Sequence, residues 1–291
     1  MRLLWMLLAV VCTIPVAAGE LRVTDDAGRV VTLVQPARRI VSLAPHVTEM
    51  LFAAGAGGKI VGAVEYSDYP QAARAIPRIG SFSRIDLERL LALRPDLAIG
   101  WKNGNHSADL ERLEQLGVTL YVTDPHRLED VASDIERLGL LAGSGPAARQ
   151  AVGAFRARRV ALQRQYGARP PVRVFYQIWN QPLMTVNGEH VISDVIRLCG
   201  GENVFADLPL LAPSLDVEAV LRADPDAIVA SGMAEERPEW LDHWRRWPML
   251  RAVRHDNLFF IPPDLMQRHT PRLLDGAERL CRALEVVRAR R

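Results

Sequence analysis

The chain has 291 residues, of which 49% are hydrophobic and 24% are charged, and its formal net charge is +2. This composition is ordinary for a globular protein of one or two domains. The net charge is too small to indicate a nucleic-acid partner, and basic residues form a run only at the end of the chain.

Residues 1–18 have the pattern of a secretory signal peptide. Arg2 precedes the apolar run Leu3–Val11, and Val16-Ala17-Ala18 has the small residues of a cleavage site. The run is too short to span a membrane, although a retained membrane anchor is the alternative interpretation. Cys12 follows a valine rather than a small residue, which argues against a lipoprotein. We therefore predict a mature protein that diffuses freely in the periplasm.

Two cysteines, Cys199 and Cys281, remain after the signal peptide. An even pair in an exported chain indicates a disulfide before it indicates a metal site. The bridge would close a loop of 82 residues, for which chain entropy gives a stabilisation of at most about 4 kcal/mol. Two buried free thiols are the alternative.

The first half of the mature chain alternates short strands with short helices. Two β-rich runs around Asp25–Gly28 predict a hairpin within Leu21–Val34. The remaining elements are predicted as strands at Arg39–Ala44, Ile60–Val64 and Val118–Val122, and as helices at Glu49–Ala54, capped by Thr48, and at Asp109–Leu116. The polar loop 101–106 follows a strand, and ligands bind at such positions in open α/β sheets.

One segment of the chain, Asp86–Gly100, occurs a second time as Asp216–Ala230, 130 positions later. The identical pairs are Asp86/Asp216, Glu88/Glu218, Leu91/Leu221, Pro95/Pro225 and Asp96/Asp226. Each copy predicts a helix capped by its first aspartate, ended before its proline, and followed by a buried parallel strand. Thr48–Gly55 also matches Ser193–Gly200. We therefore predict two similar α/β lobes rather than a solenoid.

A long helix is predicted between the two lobes. It covers Ala147–Tyr166, follows the glycine-rich boundary Gly143–Pro146, and is roughly 30 Å long. We expect an N-terminal lobe at 19–145, an interlobe helix at 146–168 and a C-terminal lobe at 169–291. The C-terminal lobe is predicted to contain strands Arg173–Ile178 and Asn257–Ile261 and helices Val191–Cys199, Glu239–Arg245 and Arg272–Arg288. The fold class is thus α/β, with two Rossmann-like lobes joined by a single long α-helix and a ligand in the interlobe cleft; this stiff joint predicts little lobe movement.

The chain resembles the periplasmic substrate-binding proteins of ABC importers, in the group whose lobes are joined by one rigid helix, and within it the cobalamin (vitamin B12) branch. The motifs that carry this resemblance are Arg39–Pro45 with Thr48-Glu49, Tyr66–Pro70 (YSDYP), Leu87–Arg89 with Pro95-Asp96, Cys199–Phe205 (CGGENVF) and Thr270–Arg272. The resemblance implies a monomeric periplasmic receptor that delivers cobalamin to an inner-membrane ABC permease. It also implies the disulfide between the two cysteines.

Site residues follow from the resemblance and from the shape of a corrin, a flat apolar disc rimmed with amides. The expected ligand-binding residues are Tyr66, Phe82, Trp101, Trp179, Asp264, Leu265, Met266, Gln267 and Arg268. Tyr69 and Met184 are expected to complete the two walls. Trp101 and Trp179 fit a packed core equally well. The resemblance implies that Glu88 and Glu218 dock into arginine pockets of the permease, while the alternative is that both merely favour the helix dipole.

Other classes of function have weaker support in the sequence. The histidines lack metal-ligand spacing, but His46 and His269 are expected to reach the cleft, where either could approach a cobalt or haem iron. Hydrolase, Walker and zinc-protease motifs do not occur, so we predict binding without catalysis and without a catalytic cofactor. A haem or ferric-siderophore receptor of the same fold is the alternative ligand class, and a periplasmic enzyme or metal-handling protein is the alternative of a different class.

Overall fold

The computed structural model describes residues 20–232 and 236–291, so the predicted signal peptide lies outside the described residues. The N-terminal half contains β1 (Leu21–Thr24), β2 (Val30–Leu33), β3 (Ile40–Ser42), α1 (Pro45–Ala53), β4 (Ile60–Ala63), β5 (Gly80–Ser81), β6 (Arg84–Ile85), α2 (Leu87–Ala92), β7 (Leu97–Trp101), α3 (Ser107–Gln115), β8 (Leu120–Thr123) and α4 (Leu128–Leu141). The predicted hairpin is confirmed, since β1 and β2 pair in antiparallel fashion.

The second half begins with the long helix. Its elements are α5 (Gly145–Tyr166), β9 (Val172–Gln177), α6 (Val191–Leu198), β10 (Gly201–Asn203), α7 (Val217–Ala223), β11 (Ala227–Ala230), α8 (Arg251–Arg254), β12 (Leu258–Phe260), α9 (Pro263–Met266) and α10 (Leu273–Ala289). Among the described residues, none of these helices is both long and apolar enough to cross a membrane.

Each half builds one four-stranded parallel sheet, and the two sheets have the same strand order. The first sheet runs β4-β3-β7-β8 and the second β10-β9-β11-β12, so in both the second strand lies at one edge, beside the first. All pairings within the two sheets are parallel. The predicted fold class, two similar α/β lobes joined by one helix, is confirmed.

The repeated segment forms the same helix–turn–strand unit in both lobes. Asp86 caps α2 by accepting a hydrogen bond from the backbone N–H of Arg89, and Asp216 caps α7 by accepting one from Ala219 (3.0 and 2.7 Å). A residue with positive φ follows each helix, namely Arg94 (44°) and Asp224 (39°). The helix therefore ends through a left-handed residue immediately before the proline, in the same place in both copies.

The second aspartate of the repeat fixes the start of the neighbouring strand. The Asp96 carboxylate accepts hydrogen bonds from the backbone N–H groups of Arg38 and Arg39, which lead into β3 (2.8 and 3.0 Å). Asp226 accepts one from the N–H of Arg173 in β9 (3.0 Å). These donors would otherwise lack partners at the strand ends, which explains why the aspartate is retained in both copies.

The helix α5 joins the lobes and packs against both. It has 22 residues and is therefore about 33 Å long. Its buried side chains Val152, Phe155 and Leu162 belong to one continuous hydrophobic core that includes residues of both sheets. A joint that is buried on one face along its length resists bending more than an exposed linker does.

The structure differs from the predicted elements in several places. Helix α1 begins at Pro45, so Thr48 lies inside the helix and does not cap it; its hydroxyl instead bonds the hydroxyls of Ser42 and Ser67 (2.8 and 3.0 Å). Proline suits the first helical position because that position needs no N–H donor. Helix α4 was not predicted, and neither was the short helix α9, which lies between β12 and α10.

The predicted disulfide is present in the C-terminal lobe. The sulfur atoms of Cys199 and Cys281 are 2.06 Å apart. The bridge joins the end of α6 to the middle of α10, and both cysteines are fully buried. It therefore ties the last helix of the chain to the second lobe.

Candidate functional site

The loops that follow the parallel strands of the two sheets meet between the lobes. His46 lies in the first turn of α1 after β3, Trp101 ends β7, and His269 follows α9 after β12. The ring centroids of His46 and Trp101 are 5.0 Å apart, and those of Trp101 and His269 are 6.1 Å apart, so the two lobes contact each other here. The carboxyl ends of parallel strands are the usual ligand position in α/β sheets.

A cavity of about 230 Å³ lies in this cleft. It is lined by Trp101, Asn103, Ile178, His190, Ile192, Leu211, Ala212, Gln267 and His269. Both lobes contribute, and the walls are largely apolar with a few polar groups, which is the usual composition of a small-molecule site. Pockets for drug-sized ligands measure roughly 300–1,000 Å³, so a larger ligand requires the walls to move apart.

Three histidines and Trp101 form an aromatic cluster along the cleft. The ring centroids of His46 and His269 are 5.4 Å apart, and those of His190 and His269 are 5.6 Å apart. Burial lowers the pKa of all three histidines, and that of His269 falls to about 4. The Nε2 atom of His46 and the Nδ1 atom of His269 are buried without a hydrogen-bond partner. The cluster is therefore neutral at neutral pH.

Asn105 fixes the Trp101 loop, a role that local sequence patterns do not indicate. Its side-chain oxygen accepts a hydrogen bond from the backbone N–H of Trp101 (2.7 Å). Its amide nitrogen donates to the carbonyl groups of Leu43 and Phe82 (2.8 and 2.7 Å). One buried amide thus links the two expected aromatic residues, whose rings lie 6.1 Å apart.

Aromatic side chains of the N-terminal lobe are unusually exposed. Tyr66 is 70% exposed, Tyr69 46% and Phe82 37%. Tyr66 also has a φ of 62°, in the left-handed region that aromatic residues rarely adopt. Backbone strain of this kind concentrates at ligand-binding sites, where the surrounding structure enforces it.

Charged residues from both lobes form what we call the interlobe ion cluster: Glu49 and Asp68 from the N-terminal lobe, and Asp264, Arg268 and Arg272 from the C-terminal lobe. Arg268 contacts Glu49, Asp68 and Asp264 at 3.0, 2.7 and 3.0 Å. Arg272 binds both oxygens of Glu49, at 2.9 and 2.6 Å. Its guanidinium also lies 4.0 Å from the centroid of the Tyr69 ring.

Pairing in this cluster changes the proton affinities of its members. Although burial opposes it, the hydrogen bond and charge of Arg268 lower the pKa of Asp68. Burial by itself would lower the pKa of Arg268 and Arg272. The carboxylates around the two guanidiniums outweigh this effect and raise both pKa values overall. The guanidiniums are therefore firmly charged where they cross the cleft.

The residues at 264–268, which were predicted to form the wall of the cleft in the C-terminal lobe, lie in three different environments. Gln267 lines the cavity, Asp264 and Arg268 belong to the interlobe ion cluster, and Leu265 is half-buried against the core. Met266 is fully buried in that core, which corrects the expectation that it forms a wall of the cleft. Helix α9 explains the difference, because it turns Met266 towards Gly276 of α10.

Trp179 lies outside the group that lines the cavity. It is half-buried and donates its indole N–H to the carbonyl of Gln181 (2.8 Å), within the loop that follows β9. Met184, the other residue expected in that wall, pairs with the backbone of Trp179 and of Ser214. On this side of the cleft, the cavity is lined instead by His190 and Leu211, which the sequence analysis did not single out, while Arg272 belongs to the interlobe ion cluster.

Glu88 and Glu218 occupy equivalent exposed positions in the first turns of α2 and α7. In the part of the chain that the structure describes, neither carboxylate forms an ion pair. The described residues also contain no group of three or more histidine, cysteine, aspartate or glutamate side chains placed to hold a metal ion.

Comparison with known proteins finds binding proteins, both as a family model and as individual relatives. A family model described as a periplasmic binding protein matches residues 40–265. The chain is 39% identical to the vitamin B12-binding protein of Vibrio cholerae over 253 residues, which are 87% of this chain and 91% of that protein.

Solved structures agree with these sequence relatives. The crystal structure of the periplasmic vitamin B12 binding protein of Vibrio cholerae matches with a TM-score of 0.80 and 38% identity, over 87% of this chain and 98% of that one. A periplasmic haem-binding protein from Pseudomonas aeruginosa matches with a TM-score of 0.73 and 27% identity, over 85% and 92%.

Proposed function

Because the chain belongs to the periplasmic binding protein family, we propose that it captures cobalamin in the interlobe cleft and delivers it to an inner-membrane ABC permease. The observation that carries this proposal is the 39% identity to a vitamin B12-binding protein over nearly the whole chain. We propose a periplasmic location and binding without catalysis on the same basis.

The chemistry of the cleft supports a corrinoid ligand. A corrin is a broad, apolar ring with amide side chains, so it needs flat apolar surfaces together with hydrogen-bonding groups at the edge. Tyr66, Phe82 and Trp101 offer the aromatic surface. Gln267 and the exposed parts of Asp68 offer polar contacts.

Haem or a ferric siderophore is the second candidate ligand class. The specific observation in its favour is the neutral histidine cluster, because an unprotonated imidazole is a good ligand for iron. His46 and His269 each have one ring nitrogen without a hydrogen-bond partner. The same nitrogens could approach the cobalt of a corrinoid, so the histidines alone do not separate the two classes.

Calorimetric titration with cyanocobalamin, haemin and a ferric hydroxamate tests the proposal. We expect tight binding of cyanocobalamin and a weakening in Tyr66→Ala and Phe82→Ala. Leu140→Ala is a matched control, since this residue is 45% exposed on α4 outside the cavity lining. Tight binding of haemin with no heat from cyanocobalamin would overturn the proposal in favour of the second candidate.

Delivery to the permease would use the two exposed glutamates. Glu88 and Glu218 lie one in each lobe at the same position of the repeat, which suits a permease built from two equivalent halves. An arginine fork on the partner can grip each carboxylate through two hydrogen bonds. Their freedom from ion pairs with described residues leaves both carboxylates available to such a partner.

A further inference from the structure

Glu49 is the most deeply buried member of the interlobe ion cluster. Its side chain is 2% exposed, whereas those of Asp264 and Asp68 are 24% and 41% exposed. A buried carboxylate is stable only when it is paired and hydrogen-bonded. Both partners of Glu49, Arg268 and Arg272, come from the opposite lobe.

Arg268 contacts three carboxylates through two of its nitrogen atoms. Its Nη1 atom donates to Glu49 on the buried side and to Asp68 on the exposed side. Its Nε atom contacts Asp264 at 3.0 Å. Within the described residues no hydrogen bond uses its Nη2 atom.

Glu49 also fixes the second arginine. Arg272 binds both carboxylate oxygens of Glu49 through its Nε and Nη2 atoms, and its planar face lies against the ring of Tyr69. A bidentate pair restricts the orientation of both side chains more than a single contact does. The fork therefore holds the Glu49 carboxylate in one orientation, with Oε1 also accepting from Arg268.

We infer that Glu49 is a positioning residue for ligand binding: from its buried place in α1 it holds Arg268, across the interlobe contact, with one free N–H edge towards the ligand. This inference rests on the proposed function. It means that a residue of the N-terminal lobe orients a polar side chain of the C-terminal lobe. Glu49 itself does not touch the ligand, because its carboxylate is enclosed by the two guanidiniums.

A double-mutant cycle on the full chain tests this role. The Kd for cyanocobalamin is measured for the parent, Glu49→Gln, Arg268→Gln and the double variant. We expect each single change to weaken binding by roughly 10- to 100-fold, the range that corresponds to losing one hydrogen bond to a charged group. The double variant should bind no more weakly than Arg268→Gln, because Glu49 acts through Arg268. Fully additive losses would overturn the inference.

Two further variants guard against trivial explanations. Glu129→Gln removes one negative charge from an ion pair with Arg156 on the surface and should leave the Kd unchanged. If Glu49→Gln does not fold, Arg272→Lys keeps the charge but removes the fork. The inference then predicts a smaller, salt-sensitive loss of affinity, and an unchanged Kd in Arg272→Lys would contradict it.

A measurement without ligand separates this inference from the proposed function. The Nη1–H group of Arg268, which donates to Glu49, should give a protected NMR resonance in the parent, and this protection should be lost in Glu49→Gln. If the parent does not bind cyanocobalamin but the resonance behaves in this way, the proposed function fails and the positioning role of Glu49 stands. Persistent protection in a Glu49→Gln variant would contradict that role even where cobalamin binds.

Discussion

The two lobes share a fold but differ in the side chains that they contribute to the cleft. Both have the same strand order and the same capped helix before the third strand, down to the paired aspartates Asp86 and Asp216. At the cleft, however, the N-terminal lobe contributes exposed aromatic rings and the buried Glu49, whereas the C-terminal lobe contributes Arg268 and Arg272. The repeated residues therefore maintain the fold that the lobes share, whereas the side chains at the cleft come from segments that differ between the lobes.

The largest effect should come from breaking the equivalence of the two exposed glutamates. If each docks into an arginine pocket of the permease, losing one carboxylate should cost about 2–5 kcal/mol of docking free energy. Glu88→Ala and Glu218→Ala should be similarly damaging, and the double variant should abolish stimulation of transporter ATPase activity. Cobalamin titrations should match the parent's. A double variant that loses ligand but still docks would place both residues in the cleft.

The disulfide should make the lobes differ in stability. It closes an 82-residue loop within the C-terminal lobe, and chain entropy assigns it at most about 4 kcal/mol. Cys199→Ala with Cys281→Ala should therefore lower the free energy of unfolding by up to that amount. Hydrogen exchange should show the loss in α6 and α10 more than in α1 and α4. An unchanged denaturation midpoint would mean that the bridge adds no stability.

The interlobe histidines should make the contact between the lobes acid-sensitive. Because burial lowers the pKa of His46, His190 and His269 below 6.5, the unfolded chain takes up protons first as pH falls. Stability is then complete above pH 6.5 and declines towards pH 4, by at most about 1.4 kcal/mol per pH unit for each histidine. His269→Gln should flatten this decline in Tm against pH, and an identical slope in parent and variant would contradict it.

The smallest effect should come from the helix caps, and it should be the same in both lobes. Asp86→Ala and Asp216→Ala each remove a side-chain acceptor from a helix start, for which about 1 kcal/mol is typical. Urea denaturation should give similar losses for the two variants. A loss confined to one of them would show that the repeat no longer has an equivalent role in both lobes.

The fold that the lobes share was predictable from the sequence because it depends on local and repeated signals. The caps, the prolines and the apolar runs fixed both copies of the repeat, and the glycine-rich boundary placed the start of α5 within a few residues. Thr48 was misassigned because Pro45 starts α1 earlier. Local patterns do not reveal contacts made across the chain, and this accounts for what was missed.

The candidate site depends most on contacts between residues that are far apart in the sequence. Glu49 and Arg272 are 223 positions apart, and no sequence spacing connects them. Met266 was expected in the cleft because the resemblance implies that the whole segment 264–268 lies there, but α9 directs this side chain into the core. His190 had a weak signal in its place before α6, where its ring nitrogen accepts a hydrogen bond from the N–H of Ile192.

Anomalous X-ray scattering can show whether the cleft between the two lobes holds a corrinoid, because a corrinoid contains cobalt. Crystals grown with cyanocobalamin can be measured on both sides of the cobalt absorption edge. We predict one strong cobalt peak between the lobes, flanked by Trp101 and Phe82 on one side and by Gln267 and Leu211 on the other. A cobalt peak outside the cleft, or a cleft without cobalt in crystals that contain the vitamin, would contradict the account.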